Sequence, residues 1–421
     1  MATRRELLKA SLMLPVAAAQ GPLRGLAQAG PRVVVIGAGA FGGWTALELR
    51  RRGARVTLID AWGPGNSRAS SGGETRVIRA TYGTRTIYTR MAIRAMELWR
   101  AHDARWQRGF FRPTGALWMF GADASFGRAS AAALRAANMP IEELTTSEAA
   151  RRFSQIAFDD SIKYVLWEPV AGYLLARRAC EHVVERFVAE GGEYRQAAVP
   201  IPFDVPSKLR SVALEHGGSI EADVFVFACG PWLGKLFPDA IGTRVMPTRQ
   251  EVYYFGTPRG DSRFNDPAMP VWVDYRDRVI YGISGNANRG FKVADDTPGP
   301  AFDPTSGTRD ATAAGVAAAR AFLALRFPAL AGAPLLGSEV CQYEASPDSH
   351  FIIDRHPHAA NVWIAGGGSG HGYKMGPALG ELLASCVLGT AAPDPQFALA
   401  RLAARPPRLT NPCGSAEPAF R

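Results

Sequence analysis

The sequence predicts an α/β fold in which a Rossmann-like nucleotide-binding domain, a parallel sheet between helices, is joined to a second domain with a mixed or antiparallel sheet. Two apolar runs, residues 33–36 and 223–232, each lead into a glycine turn, as buried strands of a parallel sheet do. Residues 246–344 contain aromatic-rich alternating strands, which are typical of an antiparallel sheet. A length of 421 residues allows two or three domains.

The first predicted unit is a strand, turn, helix and strand at residues 33–60. The turn contains Gly37, Gly39 and Gly42. Glycines at this spacing permit a tight turn, the approach of a pyrophosphate and close helix–strand packing. The helix at residues 44–52 offers free N–H groups to an anion, and Asp60 ends the second strand, where its carboxylate is placed to accept hydrogen bonds from a ribose. The unit predicts an adenine dinucleotide site; the alternative is a glycine-rich turn in an ordinary βαβ unit.

The other elements follow from hydrophobic periodicity. Helices are predicted at residues 87–106, 128–137, 145–153, 174–191, 308–327 and 375–388. Further strands are predicted at residues 110–120, 164–172, 223–232, 351–354 and 362–365, and within residues 246–344. We therefore expect a discontinuous nucleotide-binding domain at residues 30–110, 165–245 and 345–400. A second domain is expected at residues 111–164 and 246–344, and a C-terminal tail at residues 401–421.

Charge and cysteine content argue against several classes of protein. The net charge of +10 comes mostly from scattered arginines, without a basic helix or an aromatic-interleaved run, so no nucleic-acid partner is expected. The positive surface favours small anionic molecules instead. The five cysteines have no metal-ligand spacing and an odd count, so neither a metal site nor a disulfide framework is indicated.

Residues 1–29 resemble an export signal of the twin-arginine type. Arg4 and Arg5 precede a short apolar run at residues 10–19, and small residues at 27–29 offer a cleavage site. The run is too short to span a bilayer, so no stable membrane insertion is expected. The signal predicts a folded protein that is passed to the export machinery and reaches the periplasm or the exterior; the alternative is a basic leader that is retained.

Four later stretches carry residues suited to chemistry. They are SSGGETRVIRATYG from Ser70, YGISGNANRGFKVADD from Tyr281, CQYEASPDSHFIID from Cys341 and IAGGGSGHGYKMGPALGELLA from Ile364. In this order they resemble the D-amino-acid-oxidase superfamily of flavoproteins, most closely the branch of monomeric sarcosine oxidases and N-methyltryptophan oxidases. The resemblance extends from residue 33 to about residue 388 and implies that the dinucleotide is FAD rather than NAD.

The resemblance implies roles for individual side chains. Arg79 and Lys374 match the groups that hold the substrate carboxylate, a task suited to cations. Arg76 matches a position beside the flavin. Lys292 matches the lysine that promotes reaction with oxygen, because a fixed cation favours the negative charge that forms there. Cys341 matches a cysteine bonded covalently to the flavin in the sarcosine oxidase branch.

The remaining expected site residues belong to the substrate side and the cofactor side. Tyr281 and Tyr343 match substrate-side tyrosines. The expected cofactor-binding set is completed by Ser70, Val199, Gly230, Gly370 and Gly372. Two departures from the family pattern stand out. Ser71 and Gly72 replace paired histidines, and Asp296 replaces a histidine four residues after Lys292, which indicates a different pocket and favours a cationic or hydroxylated substrate group.

The resemblance implies an FAD-dependent oxidase of secondary or N-substituted α-amino acids. A hydride passes to flavin N5, water hydrolyses the imine, and dioxygen is reduced to hydrogen peroxide, so the expected partners are a small amino acid and O₂, with the protein as a monomer. Two alternatives keep the site: an exported dehydrogenase that uses a quinone or carrier, and an oxidase of glycated or cyclic imino acids. A third is a flavin-binding structural or electron-carrying protein, which would need no carboxylate clamp.

Overall fold

The computed structural model describes residues 30–404. The predicted export signal at residues 1–29 and all but the first four residues of the predicted tail lie outside this range. Between residues 30 and 404, no helix has both the length and the apolar character required to cross a bilayer.

The strands and helices are numbered in chain order. The strands are β1 (Arg32–Ile36), β2 (Arg55–Asp60), β3 (Thr75–Ile78), β4 (Phe111–Arg112), β5 (Ala116–Phe120), β6 (Glu142–Leu144), β7 (Tyr164–Glu168), β8 (Gly172–Leu175), β9 (Glu193–Gln196), β10 (Ser211–Ala213), β11 (Ser219–Glu221), β12 (Val224–Phe227), β13 (Met246–Phe255), β14 (Val271–Tyr275), β15 (Val279–Ile283), β16 (Phe291–Asp295), β17 (Leu335–Ala345), β18 (Ile352–His356) and β19 (Ala359–Gly366). The α-helices are α1 (Ala40–Arg51), α2 (Thr86–Trp106), α3 (Ser125–Ala136), α4 (Thr146–Arg152), α5 (Ala176–Ala189), α6 (Leu233–Leu236), α7 (Ala313–Arg326) and α8 (Gly376–Val387).

The first sheet is the predicted Rossmann-like sheet. Its six strands lie in the order β18–β19–β12–β1–β2–β9, and every neighbouring pair is parallel except β18 with β19. Along β1, Val33 and Val35 face one apolar core while Val34 and Ile36 face another, so the strand is buried on both sides. Burial of each such side chain contributes roughly 1.5–3 kcal/mol. This two-sided burial explains the continuous apolar run in the sequence.

The second sheet has eight strands in the order β17–β13–β16–β15–β14–β5–β7–β6. Its neighbours are antiparallel except β14 and β5, which are parallel, so the predicted mixed sheet is confirmed. A smaller sheet, β3–β8–β4, and a β10–β11 hairpin complete the strand pairing of the described residues. In the small sheet, β3 carries Arg76 at the centre of the site described below.

Two of the predicted assignments differ from the structure. Residues 165–168 were predicted to lie in the nucleotide-binding domain, but β7 pairs with β5 and β6 in the second sheet. Both faces of β7 are buried, so its apolar run resembles a strand of the first sheet. The single strand predicted at residues 110–120 is divided into β4 and β5, because Pro113 lacks an N–H donor and Gly115 has a φ of 77°.

Candidate active site

Three neighbouring cavities cross the region between the two large sheets. The large cavity has a volume of about 290 Å³ and lies at the ends of β1, β2 and β12. The middle and inner cavities measure about 60 Å³ each. The large and middle cavities share Ala40, Phe41, Ser70, Ser71 and Glu344 in their walls. The middle and inner cavities share Arg76, Tyr343, Gly370 and Tyr373. A long ligand can therefore extend from one cavity into the next.

The predicted glycine turn forms one wall of the large cavity. Gly37 has a φ of 103°, and a Cβ atom there would lie 2.4 Å from the carbonyl oxygen of Ala228. A Cβ atom on Gly42 would lie 1.8 Å from the carbonyl oxygen of Gly37. These two positions therefore require glycine, for the turn and for the contact between helix and strand. Gly39 lines the cavity between them.

Asp60 lines the large cavity at the end of β2. Its Oδ2 atom accepts a hydrogen bond of 2.8 Å from the N–H of Ala38, while Oδ1 accepts from the N–H groups of Trp62 and Gly63. Burial raises the pKa of this carboxyl group, and the three N–H groups act against that shift. The carboxylate thus anchors the glycine turn, a role that the sequence did not predict. Its predicted contact with a ribose stays a prediction.

The other predicted cofactor residues divide between the cavities. Ser70, Val199 and Gly230 line the large cavity, and Ser70 also lines the middle one. Gly370 and Gly372 line the middle cavity. The structure thus brings these five residues to the walls of two adjoining cavities, although they come from distant parts of the chain.

Arg76 and Cys341 meet in the middle cavity. Nη2 of Arg76 lies 3.3 Å from Sγ of Cys341 and donates to the carbonyl oxygen of Ser70 at 2.6 Å. Nη1 of Arg76 donates to the carbonyl oxygen of Thr75 at 2.8 Å. Burial lowers the pKa of Arg76, but Cys341 and other acidic groups nearby outweigh it and raise the pKa above its ordinary value. A buried cation therefore lies beside the sulfur of Cys341.

Arg79 and Lys374 converge in the inner cavity. The guanidinium carbon of Arg79 lies 4.5 Å from the ring centre of Tyr82, and Nζ of Lys374 lies 5.4 Å from the same centre. Arg79 also lies 4.9 Å from the ring centre of Trp118. Both cations are largely buried, with 7% and 5% of their surfaces exposed. Two desolvated cations over one aromatic ring form a strong site for a small anion.

Glu168 holds the segment that carries Arg79, a role that no sequence pattern predicts. Its carboxylate accepts hydrogen bonds from the N–H of Ala80 and the hydroxyl of Thr81, while Arg79 donates to the carbonyl oxygen of Thr81. Burial raises the pKa of Glu168, whereas its hydrogen bonds and the charge of Arg79 lower it. Because Glu168 lies at the end of an apolar strand, only the folded structure shows that it faces the arginine loop.

Lys292 is a buried amine beside Tyr281, a residue of the inner cavity wall. Only 2% of its surface is exposed, and Nζ donates to the carbonyl oxygen of Thr75 at 3.0 Å. Nζ also lies 5.6 Å from the ring centre of Tyr281, which lines the inner cavity. Burial and the charge of Arg76 lower the pKa of this lysine to about 7. Within residues 30–404 the amine forms no ion pair.

Tyr343 and Asp296 form a pair in the wall of the inner cavity. The hydroxyl of Tyr343 donates to Oδ1 of Asp296 at 2.6 Å. Burial raises the pKa of Asp296 to about 6, while the hydrogen bond from Tyr343 and the charges of Arg79 and Lys374 act in the opposite direction. The departure from the family pattern at Asp296 thus falls inside the same cavity as the two cations.

A family model described as FAD dependent oxidoreductase matches residues 32–386. The chain belongs to this DAO family of FAD dependent oxidoreductases. The predicted family, enzyme class and cofactor are therefore confirmed. The roles assigned to individual site residues stay predictions.

Curated and structural relatives of this FAD dependent oxidoreductase span nearly the same length. The monomeric sarcosine oxidase of Bacillus sp. (strain B-0618) is 30% identical over 367 residues, which cover 85% of this chain and 92% of that protein. The N-methyl-L-tryptophan oxidase of Salmonella heidelberg (strain SL476) is 27% identical, with coverages of 85% and 94%. The crystal structure of L-proline dehydrogenase from P. horikoshii superposes with a TM-score of 0.76 at 20% identity, covering 89% and 98%, and this match supports the fold.

The cavities of this FAD dependent oxidoreductase suit its cofactor. The glycine turn leaves room for a diphosphate, and Asp60 lies beside it. Two buried polar atoms in the walls lack a partner in the described residues, namely Oγ of Ser70 and Oε2 of Glu344. Buried polar atoms are almost always paired, so two orphans on one ligand path indicate partners that the ligand supplies.

Glu344 is a second residue that sequence reasoning missed. Its Oε1 atom accepts a hydrogen bond of 3.0 Å from the N–H of Gly368, whereas its Oε2 atom has no hydrogen-bond partner among the described residues. Burial raises the pKa of Glu344 to about 7, against the effect of the N–H groups of Gly368 and Gly367. Glu344 follows Tyr343 directly in the third stretch, but alternation along β17 gave no reason to place a carboxyl group in the cofactor path.

Proposed function

We propose that this protein is an FAD-dependent oxidase of secondary or N-substituted α-amino acids. The observation that carries the proposal is that Arg79 and Lys374, which both contact the ring of Tyr82, line the same cavity of about 60 Å³. An α-carboxylate is the group of an amino acid that such a pair of cations would bind. The cavity adjoins the middle cavity, where Cys341 and Arg76 lie.

The residues of the inner cavity would act mainly by binding and orienting the substrate. Arg79 and Lys374 would fix its carboxylate, and the aromatic walls formed by Trp118, Tyr281 and Tyr343 would exclude water. When bound, FAD would accept a hydride from the carbon next to the amine and pass the electrons to dioxygen, which gives hydrogen peroxide. The names of the curated relatives, a sarcosine oxidase and an N-methyltryptophan oxidase, favour an N-substituted amine.

Lys292 supports dioxygen as the electron acceptor. Its amine is buried, and in its protonated form it would place a positive charge that lowers the barrier to forming negative charge on oxygen. The competing acceptors are a quinone and a soluble carrier, neither of which needs a buried lysine. One hydrogen peroxide molecule for each amino acid consumed would support the oxidase, while turnover only with an added quinone would refute it.

A screen of N-methyl and cyclic α-amino acids in a peroxide-coupled assay tests the substrate class. We expect oxidation of some N-methyl amino acids, and no oxidation of the matching amines without a carboxylate. Arg79→Lys retains the positive charge but cannot form bidentate hydrogen bonds to the substrate carboxylate. The variant should therefore raise KM at least about ten-fold. Lys163→Met, at an exposed lysine, is the matched control. Equal oxidation of acids and decarboxylated amines would contradict the proposal.

We also propose export through the twin-arginine route. The support is the pattern of residues 1–29 alone, in which an arginine pair is followed by a short apolar run and a small-residue cleavage site. Expression with Arg4 and Arg5 intact should place the processed protein outside the cytoplasm, whereas replacement of both arginines by lysine should retain it inside. Equal distribution of the two forms would refute the route.

A further inference from the structure

The inner cavity has one feature that carboxylate binding leaves unexplained. Among the described residues that line it, Asp296 has the one carboxyl group, and it faces a cavity whose other ionised groups are cations. An acid at this place is costly, because burial disfavours its charged form. Its neighbour Asp295 lies outside this cavity and forms an ion pair with Arg278.

The position of Asp296 is fixed on two sides. Its N–H donates to the carbonyl oxygen of Val279 at 2.8 Å, and its Oδ1 atom accepts from the hydroxyl of Tyr343. In the described chain, Oδ2 has no hydrogen-bond partner. The side chain is nevertheless partly exposed, and the space beside it is the inner cavity. One acceptor oxygen is thus left available to a ligand in that cavity.

The charges around this oxygen restrict what a ligand can place there. Arg79 and Lys374 line the same cavity as Asp296, and their positive charges act to lower its pKa. With a pKa of about 6 the carboxyl group is mostly ionised above neutral pH. A substrate carboxylate would be attracted to the cations and repelled by Asp296, so its opposite end would lie toward the acid. That end gains most if it carries a hydrogen-bond donor.

We infer that Asp296 selects N-substituted α-amino acids whose N-substituent carries a hydrogen-bond donor, an amine or a hydroxyl group. The inference rests on the proposed function, because it assumes that the substrate carboxylate binds to Arg79 and Lys374. A site built to accept a hydrogen bond discriminates strongly against an analogue that lacks the donor, since its own polar group is then left unpaired. Asp296 would thus determine specificity, while the reacting bond would remain the same.

Three substrates of nearly equal size test this inference. They are N-(2-hydroxyethyl)glycine, N-(2-aminoethyl)glycine and N-propylglycine, and the rate of flavin reduction without oxygen gives the ratio kred/Kd for each. We expect the wild-type protein to prefer the two donors over the propyl compound by at least about ten-fold. Asp296→Leu should remove both preferences. Asp296→Asn retains an acceptor oxygen but no charge, so it should remove chiefly the preference for the aminoethyl compound.

The outcomes separate the inference from the function on which it rests. If none of the three compounds, and no N-methyl amino acid, reduces the flavin of the wild-type protein, the proposed function fails. If the wild-type protein reduces its flavin equally fast with all three, the function stands and the inference is overturned. If Asp296→Asn slows all three equally, Asp296 acts on the reacting amine or only positions Tyr343, and the inference is again overturned.

Two controls keep the experiment decisive. Asp295→Asn removes the neighbouring carboxylate that pairs with Arg278, and it should leave all three ratios within about two-fold of wild type. The flavin absorption spectrum and the melting temperature of each variant show whether it is folded and loaded. If Asp296→Leu does not fold, the aminoethyl and hydroxyethyl ratios of the isosteric Asp296→Asn variant decide the question alone.

Discussion

Replacement of Lys292 by methionine isolates the positive charge near the flavin path. Methionine fills a volume similar to that of lysine but cannot donate to the carbonyl oxygen of Thr75, which now receives a hydrogen bond of 3.0 Å. If the cation promotes the reaction with dioxygen, the variant should be slow in reoxidation and nearly normal in reduction. The two half-reactions therefore separate a role in oxygen chemistry from general damage to the site.

The magnitude follows from the charge and from its pKa. At an effective dielectric constant of about 20, a unit charge about 4 Å from a developing negative charge is worth about 4 kcal/mol, or about a thousand-fold in rate. Solvent and protein reorganisation reduce this figure, so we expect a loss of at least about a hundred-fold in Lys292→Met. With a pKa of about 7, the protonated fraction of Lys292 falls from roughly nine-tenths at pH 6 to one-tenth at pH 8.

The sign of the pH dependence is therefore fixed. Protonated Lys292 is the active form, so the rate of reoxidation should fall about nine-fold as pH rises from 6 to 8, and Lys292→Met should lose this dependence. The assay is stopped-flow mixing of reduced enzyme with oxygenated buffer, beside anaerobic reduction by substrate. Lys163→Met at the surface is the control. Equal losses in both half-reactions, or a wild-type rate that rises with pH, would refute the reasoning.

Substitutions at three further positions test the cofactor path. Acid-precipitated wild-type protein should remain yellow if Cys341 is bonded to the flavin, and Cys341→Ser should release FAD into the supernatant; a colourless wild-type pellet would exclude attachment. In the Cys341→Ser background, Glu344→Ala should weaken FAD binding about five-fold, since one hydrogen bond contributes about 1 kcal/mol. Glu344→Gln should stay within about two-fold, as measured by fluorescence titration of the apoprotein. Gly42→Ala should abolish FAD binding, because its Cβ would lie 1.8 Å from the carbonyl oxygen of Gly37; retained affinity would contradict the close packing described for the turn.

The parts of the fold that could be predicted are those in which local pattern and tertiary environment agree. The glycine turn after β1 is such a case, because its backbone requirements are steric and independent of the rest of the chain. The position of β7 is the opposite case. Its apolar run indicates burial on both faces, but burial does not determine which of two sheets covers those faces. Sheet membership depends on pairing with β5 and β6, which no local signal encodes.

The candidate site shows the same division. Arg76, Arg79, Lys292 and Lys374 were identifiable because they belong to stretches that resemble a family. The structure places three of them in cavity walls and Lys292 next to Tyr281, which lines the inner cavity. Glu168 and Glu344 were missed for a physical reason. Both are buried acids on strands, where periodicity predicts an apolar side chain, and their roles depend on backbone N–H groups supplied by distant segments.

Three groups along the cavities share a consequence of their burial. Burial is the largest cause that moves the pKa of Lys292 down to about 7, that of Asp296 up to about 6 and that of Glu344 up to about 7. In each case burial disfavours the charged form, so each group destabilises the folded protein near neutral pH unless a partner compensates. An oxidase of amines must bind one anion, release protons and direct electrons to oxygen within this range of pH. Burial of these groups therefore destabilises the fold, but it also brings their pKa values into the pH range in which the proposed chemistry transfers protons.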